Sequence, residues 1–300
     1  LLIGIISKYK KMSNTISTKT YRDKYRSASL DTLLRAALVA EKVCEVDRSN
    51  SKTIQNPYGS QPTATVQALA GTYTPATFTT TDDTLTVADE VVIGEHVYNF
   101  EALLSRFDLF ANRQDEINYS IATAIDKWVI NCLCEDANGT YSTPSGGFTT
   151  AANINVIMSN LASKVAGYAD AYKGLFLIIE NTDVPGFVQA QATNGYSFAD
   201  AALKNGFMSS YMGIDIYVVR SGTFADETTS TASGTKTWTN SGHRVFGVKN
   251  VTTYAAPRNI TWDEKGVTGK TGKEICMDAS IGFKAWVTKY DLIIDITLVA

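Results

Sequence analysis

Cys132 and Cys134 are the first side chains to weigh as metal ligands, being two thiols one residue apart. Their segment reads as helix, where such positions point about 200° apart, so they cannot share one ion. Core packing accounts for them better. Gly269-Lys270-Thr271 imitates the end of a phosphate-binding loop. That motif needs a glycine five residues earlier, where Glu264 stands, and a helix afterwards, where the sequence reads as strand. Gly266, Gly269 and Gly272, at every third position, make a flexible turn the better account. The two histidines are isolated: His96 lies beside Glu95 in a strand-like stretch, and His243 follows a Ser/Thr-rich one. Each reads as structural or solvated. Asp82-Asp83 and Asp89-Glu90 pair carboxylates with no third ligand nearby and read as a solvated face. No Gly-x-Ser-x-Gly elbow occurs. Asn118-Tyr119-Ser120 and Asn138-Gly139-Thr140 match the glycosylation pattern, which counts for little without a secretion signal. No catalytic, cofactor-binding or metal set assembles, so neither an enzyme nor a cofactor is expected.

The elements behind these residues are clearer than the chemistry. At 300 residues the chain suits one large domain or two joined ones. Residues 1–26 are polar and basic and read as an extended arm. Ser29-Leu30-Asp31 opens a helix, and Asn56-Pro57-Tyr58-Gly59 stops any regular element. Phe78 to Tyr98 alternates as a two-stranded ribbon, with Ala88-Asp89-Glu90 as a candidate tip. Ile117, Ile121, Ile125, Trp128 and Cys132 form one stripe of a long helix, from about Phe107 to Cys134. Ile154, Ile157, Met158, Leu161 and Val165 mark a second helix. Leu175 to Ile179 and Ile214 to Val219 read as buried strands. Asp183-Val184-Pro185 reads as a helix start capped by Asp183. Residues 221–242 read as a Ser/Thr/Gly-rich loop, and Val245–Tyr254 and Phe283–Val299 close the chain as strands. The order fits an α+β protein.

Charge is unevenly spread. Between Thr53 and Asp126 there is no lysine, and ten Asp or Glu face two Arg, in a chain whose net charge is only −3. Residues 1–52 carry eleven Lys or Arg against five acids. Basic arm and acidic ribbon can attract each other between copies; the alternative is two solvated faces that never meet. The overall acidity argues against a dedicated nucleic-acid binder. Four cysteines make no disulfide framework. No run of ~20 apolar residues predicts a membrane span. The apolar opening Leu1 to Ile6 precedes its basic residues, unlike a signal peptide. Met12 lies inside the chain, which implies either N-terminal processing or reading from upstream of a start codon. A two-stranded ribbon is marginal alone in water, so a long one points to assembly on another copy.

One family carries the same ordered pieces. Thr84-Leu85-Thr86-Val87 through Val97, then Phe107-Asp108-Leu109 leading to Ala124-Ile125-Asp126-Lys127, resembles the ribbon and spine helix of tailed-phage major capsid proteins. That fold, the HK-ninety-seven type, is shared with encapsulin shells. Leu177-Ile178-Ile179 with Asp183-Val184-Pro185, and Met212 through Val218, resemble the family's axial domain. Gly282-Phe283-Lys284-Ala285-Trp286 resembles its late return strand. The resemblance covers roughly residues 30–300.

It implies an N-terminal arm with helix over 1–70, an E-loop over 71–102, a peripheral domain with the spine helix over 103–150, an axial domain over 151–255, and a return to the peripheral domain over 256–300. It implies a shell subunit of pentamers and hexamers enclosing phage double-stranded DNA in a virion assembled in the host cytoplasm. The alternative on the same fold is an encapsulin-type compartment, distinguished by its contents. A secreted Thr-rich adhesion protein and a hydrolase or nucleotide enzyme are the readings outside it. Implied inter-subunit contacts are Phe78, Leu85, Val87, Val91, Ile93 and Val97 on the E-loop. Lys8, Lys10, Lys11, Arg22, Lys24 and Arg26 supply the arm's basic contacts, and Ile117, Ile121, Ile125 and Trp128 the spine-helix core. Partners would be copies of the chain, a portal, scaffold or decoration proteins and non-specifically held DNA, with no membrane. In the family's namesake a lysine on the E-loop links covalently to a neighbour's asparagine. This loop has no lysine, so the resemblance stops short of that link.

Overall fold

The structure is a computed structural model that describes residues 39–60, 62–69, 71–72, 75, 77–98, 109–194, 207–231, 234–257, 261–266, 269 and 271–299. The chain divides into two compact units. One gathers Val92–Ser120 and Thr261–Asp278 with Leu1–Arg35; the other holds Ala36–Val91, Ile121–Ile260 and Ala279–Ala300.

The larger unit is built on a six-stranded mixed sheet. Its strands are β5 (Gly139–Ser142), β6 (Leu175–Glu180), β7 (Phe207–Tyr211), β8 (Ile214–Val219), β11 (His243–Val248) and β15 (Ile293–Thr297), in the order β5-β15-β11-β6-β8-β7. β6 and β8 pair in parallel, as do β5 and β15; the other pairs are antiparallel. β6 is buried almost throughout, which explains its unbroken apolar run. Phe176, Leu177, Ile178, Val245 and Phe246 form its interior.

Three helices belong with this sheet. The long α2 (Leu109–Glu135) contributes Ile121, Ile125, Val129, Ile130 and Leu133, all buried. α3 (Ala151–Val165) buries Ile154, Ile157, Met158, Leu161 and Val165, the helical stripe in the sequence. α4 (Val184–Asn194) stacks Phe187 on Phe148 with ring centroids 5.6 Å apart. Gly186 makes that approach feasible, since an added Cβ would stand 1.9 Å from the Phe148 carbonyl oxygen. The expected Asp183 side-chain cap is not what forms. Its carboxylate accepts the Glu180 N–H at 3.2 Å and Arg244 Nε at 2.5 Å. Arg244, 4% exposed, needs charged acceptors more than α4 needs a cap.

A second, smaller sheet in this unit runs from β1 (Glu45–Asp47), which follows the short α1 (Ala40–Val43), to β12 (Thr252–Ala255) and the later part of β14 (Lys273–Ala285). Residues 226–239, expected as loop, form a hairpin of β9 (Asp226–Thr231) and β10 (Gly234–Thr239). Threonine favours strands, and Trp238, 3% exposed, anchors the hairpin, so a low apolar count misled the sequence reading.

In the smaller unit, β13 (Thr261–Gly266) and the early part of β14 pair antiparallel, with Gly266 opposite Lys273. Gly269, between these two strands, has φ +77°, and no helix follows it: β14 begins at Lys273. The later part of β4 (Asp89–Val97) belongs here too. Arg113 donates from Nε and Nη2 to the two carboxylate oxygens of Glu95, both at 2.8 Å, and also pairs with Glu116. This forked geometry fixes the α2 start within the unit.

Candidate functional site: an anchored ribbon

β3 (Thr80–Thr86) pairs with β2 (Thr53–Gly59), in register from Thr53 opposite Thr86 to Gly59 opposite Thr80. This corrects the ribbon expected from Phe78 to Tyr98, because β4 pairs with β14 and Ala88-Asp89-Glu90 is no hairpin tip. Alternation marks a half-buried strand without naming its partner. It also corrects the break expected at Asn56-Pro57-Tyr58-Gly59, which lies within β2. Pro57 fits because a two-stranded ribbon has open edges where a missing N–H leaves no ladder bond unmade.

The period of two sorts the ribbon into faces. Asp83, Leu85 and, beyond the strand, Val87 are buried; Asp82, Thr84 and Thr86 are exposed. Leu85 and Val87 pack with Ala255, Trp286 and Ile54. Gly282 of β14 makes the notch that receives them, since an added Cβ would come within 3.1 Å of both side chains. Asp83 closes the socket. Its Oδ2 accepts the Val287 N–H at 2.9 Å and its Oδ1 pairs with Lys284 Nζ at 3.1 Å. Trp286 donates from Nε1 to Thr253 Oγ1 at 2.9 Å, which fixes the wall of the socket.

The far end of the ribbon is different. Residues 62–69 are all exposed, and Val66 and Leu69 show over 100% of their reference surface, so nothing among the described residues covers them. Gln67 Nε2 donates to the Gly71 carbonyl at 3.2 Å and the Gly71 N–H to Ala68 O at 3.0 Å, which shapes a local turn. Phe78 lies over Gly59, where an added Cβ would sit 2.3 Å from the ring, yet it remains 69% exposed. The ribbon is thus fixed at one end and bare at the other.

The expected contact residues divide accordingly. Phe78 is open. Leu85 and Val87 are core residues of their own chain, unavailable to a neighbour, because the strand root docks in the Gly282 notch. Val91 and Ile93 are half-buried and Val97 is buried. Lys8, Lys10, Lys11, Arg22, Lys24 and Arg26, and the helix expected from Ser29, lie outside the described residues. Ile117, Ile121, Ile125 and Trp128 are buried. Asp83, expected on a solvated face with Asp82, is instead buried. Its signal was available: it stands in phase with Leu85 and Val87, and a carboxylate on the apolar phase of a strand needs partners.

Cys132 and Cys134 are buried on α2, and burial pushes the Cys132 thiol up to about 12 despite Lys236 nearby. No trio of His, Cys, Asp or Glu among the described residues could hold a metal. His243 Nδ1 lies 2.9 Å from both carboxylate oxygens of Asp295. His96 sets its ring edge-on to Tyr98 at 4.4 Å.

No protein-family model and no curated protein sequence matches the chain. Solved structures do. The capsid structure of cyanophage P-SCSP1u is similar with TM-score 0.71 at 13% identity, covering 95% of each chain. The capsid of an empty GTA particle gives 0.68 at 12%, over 95% of this chain and 100% of that one. The mature capsid of bacteriophage PhiM1 gives 0.66 at 8%, over 92% of each. Identity this low speaks for architecture alone, and the architecture of this chain is the phage capsid fold.

Proposed function

We propose that this chain is the major capsid protein of a tailed phage, forming pentamers and hexamers of an icosahedral head around double-stranded DNA. The observation that carries the reading is the likeness to capsid subunits over 92–95% of the chain. The ribbon supports it. Val66, Leu69 and Phe78 would each gain roughly 1.5–3 kcal/mol on full burial, an upper bound per contact. Association costs offset much of that for one pair of subunits, but a closed shell repeats the contact in every subunit.

In this reading residues 1–70 hold the arm, 71–102 the E-loop, 103–150 the peripheral domain with its spine helix, 151–255 the axial domain and 256–300 the return. β2, which pairs with β3, begins at Thr53 inside the stretch given to the arm, which supports counting it with the E-loop in this reading. A portal, scaffold or decoration proteins and the packaged DNA are the further partners, the virion head is the destination, and assembly takes place in the host cytoplasm. The similar structures are phage and GTA capsids, which favours a DNA-filled head over a cargo compartment. Negative-stain microscopy of the expressed protein tests the proposal. Uniform closed particles are expected; a dispersed monomer at high concentration overturns it.

A further inference from the structure

Asn131 is a polar residue on α2 that is wholly buried. Its side-chain amide has two N–H donors and room for two acceptor contacts, and all four are used. Nδ2 donates to the Lys127 carbonyl at 2.7 Å and to the Thr223 carbonyl at 2.9 Å. Oδ1 accepts the Ala225 N–H at 3.3 Å and Asn240 Nδ2 at 3.0 Å. The first partner belongs to α2 itself. The other three stand where the β9–β10 hairpin begins and ends.

Those two ends lie one step beyond the last pair of the hairpin. Asp226 stands opposite Thr239, so Ala225 and Asn240 are the next pair in the same register, and the Asn240 N–H donates to the Ala225 carbonyl at 3.2 Å. One amide oxygen on the helix thus holds both strands at the same level. Asn240 Nδ2 also reaches the Asn131 carbonyl at 3.2 Å.

The hairpin needs such a reference. Threonine stands on both faces of β9, at Thr228 and Thr229, and strands that are polar on both faces specify their register weakly. On β10, Trp238 is buried while Thr235, Thr237 and Thr239 are exposed. Burial of Trp238 fixes which face turns inward. Apolar burial is not directional, however, and a slip of two residues preserves the phase. Lys127 pairs with Glu227 and Lys236 with Glu135 beside the seat, but these are partly exposed contacts of long side chains. The amide bonds of Asn131 are directional and separate one step from the next.

We infer that Asn131 is the positioning residue of this hairpin, setting the β9–β10 register from the helix. It thereby decides which hydroxyls stand side by side on the outward face, Thr228 beside Thr237 with 3.2 Å between their oxygens. The arrangement lies within the larger unit and holds whether or not the chain builds a shell.

Paired cysteines read the register, because a disulfide needs Cβ atoms about 4 Å apart. In the full chain under mild oxidation, Thr228→Cys with Thr237→Cys should link, and Thr228→Cys with Thr235→Cys, two residues out of register, should not. Peptide mass mapping gives the two yields. Adding Asn131→Leu, which keeps the size but neither donor nor acceptor, should cut the preference for the in-register pair roughly tenfold. An unchanged preference overturns the proposal even if the urea midpoint falls, because Asn131 would then hold the fold together without choosing the register. If Asn131→Leu does not fold, Asn240→Ala takes its place, leaves α2 intact and is judged by the same two outcomes.

Discussion

Asp83 and Asp126 are acids that accept hydrogen bonds from main-chain donors far away in sequence, Val287 and Val39. Removing such a group costs more than the bond it made, because the partner stays behind without an acceptor. Asp83→Ala should therefore destabilise the subunit by about 1–3 kcal/mol, read as a shift in the urea midpoint, with Asp83→Asn losing less. Most of this comes from the stranded Val287 N–H; Lys284 is a third exposed, and water would screen its loss. A midpoint unmoved in Asp83→Ala would show that the socket does not depend on it. Both acids are legible after the fact by their phase with buried neighbours. What hid them is that the sequence displays a carboxylate without its partner, and backbone N–H groups leave no mark in it.

At the scale of elements, long periodic pieces read well and pairings did not. The helix expected over Phe107–Cys134 is found at Leu109–Glu135, and β6 and β8 lie at the strands expected over Leu175–Ile179 and Ile214–Val219. Local spacing determines these. Strand partnership is decided by distant residues, which is why β3 joins β2 and β4 joins β14 against the expected hairpin. The ribbon's two ends also separate anchoring from reach. Replacing residues 61–77 with a short turn removes Val66 and Leu69 but keeps the register from Thr53 to Thr86. Thermal unfolding of the unassembled variant should match the wild type closely, while particle formation is lost. Particles of normal size from this variant would contradict an assembly role for the tip.

The absence of lysine from the ribbon tells on the whole molecule. No residue from Thr53 to Asp126 offers a primary amine, so the ribbon cannot supply the nucleophile of an amide link to a neighbour. Particles boiled in detergent should run as a single band at the monomer mass; a ladder of covalent multimers would refute this. The fold class was readable at this scale because the order of elements survives where sequence identity has fallen to 8–13%. The ribbon's docking was not, because the notch at Gly282 is a missing side chain, visible only once Leu85 and Val87 lie in it. Pro57 has one more consequence. The β2–β3 ribbon is rich in threonine, and a strand margin left open is a place where a further strand can add. A proline on an open margin denies an incoming strand one of the donors it would need to zip on. Endless edge-to-edge stacking along that margin is thereby disfavoured.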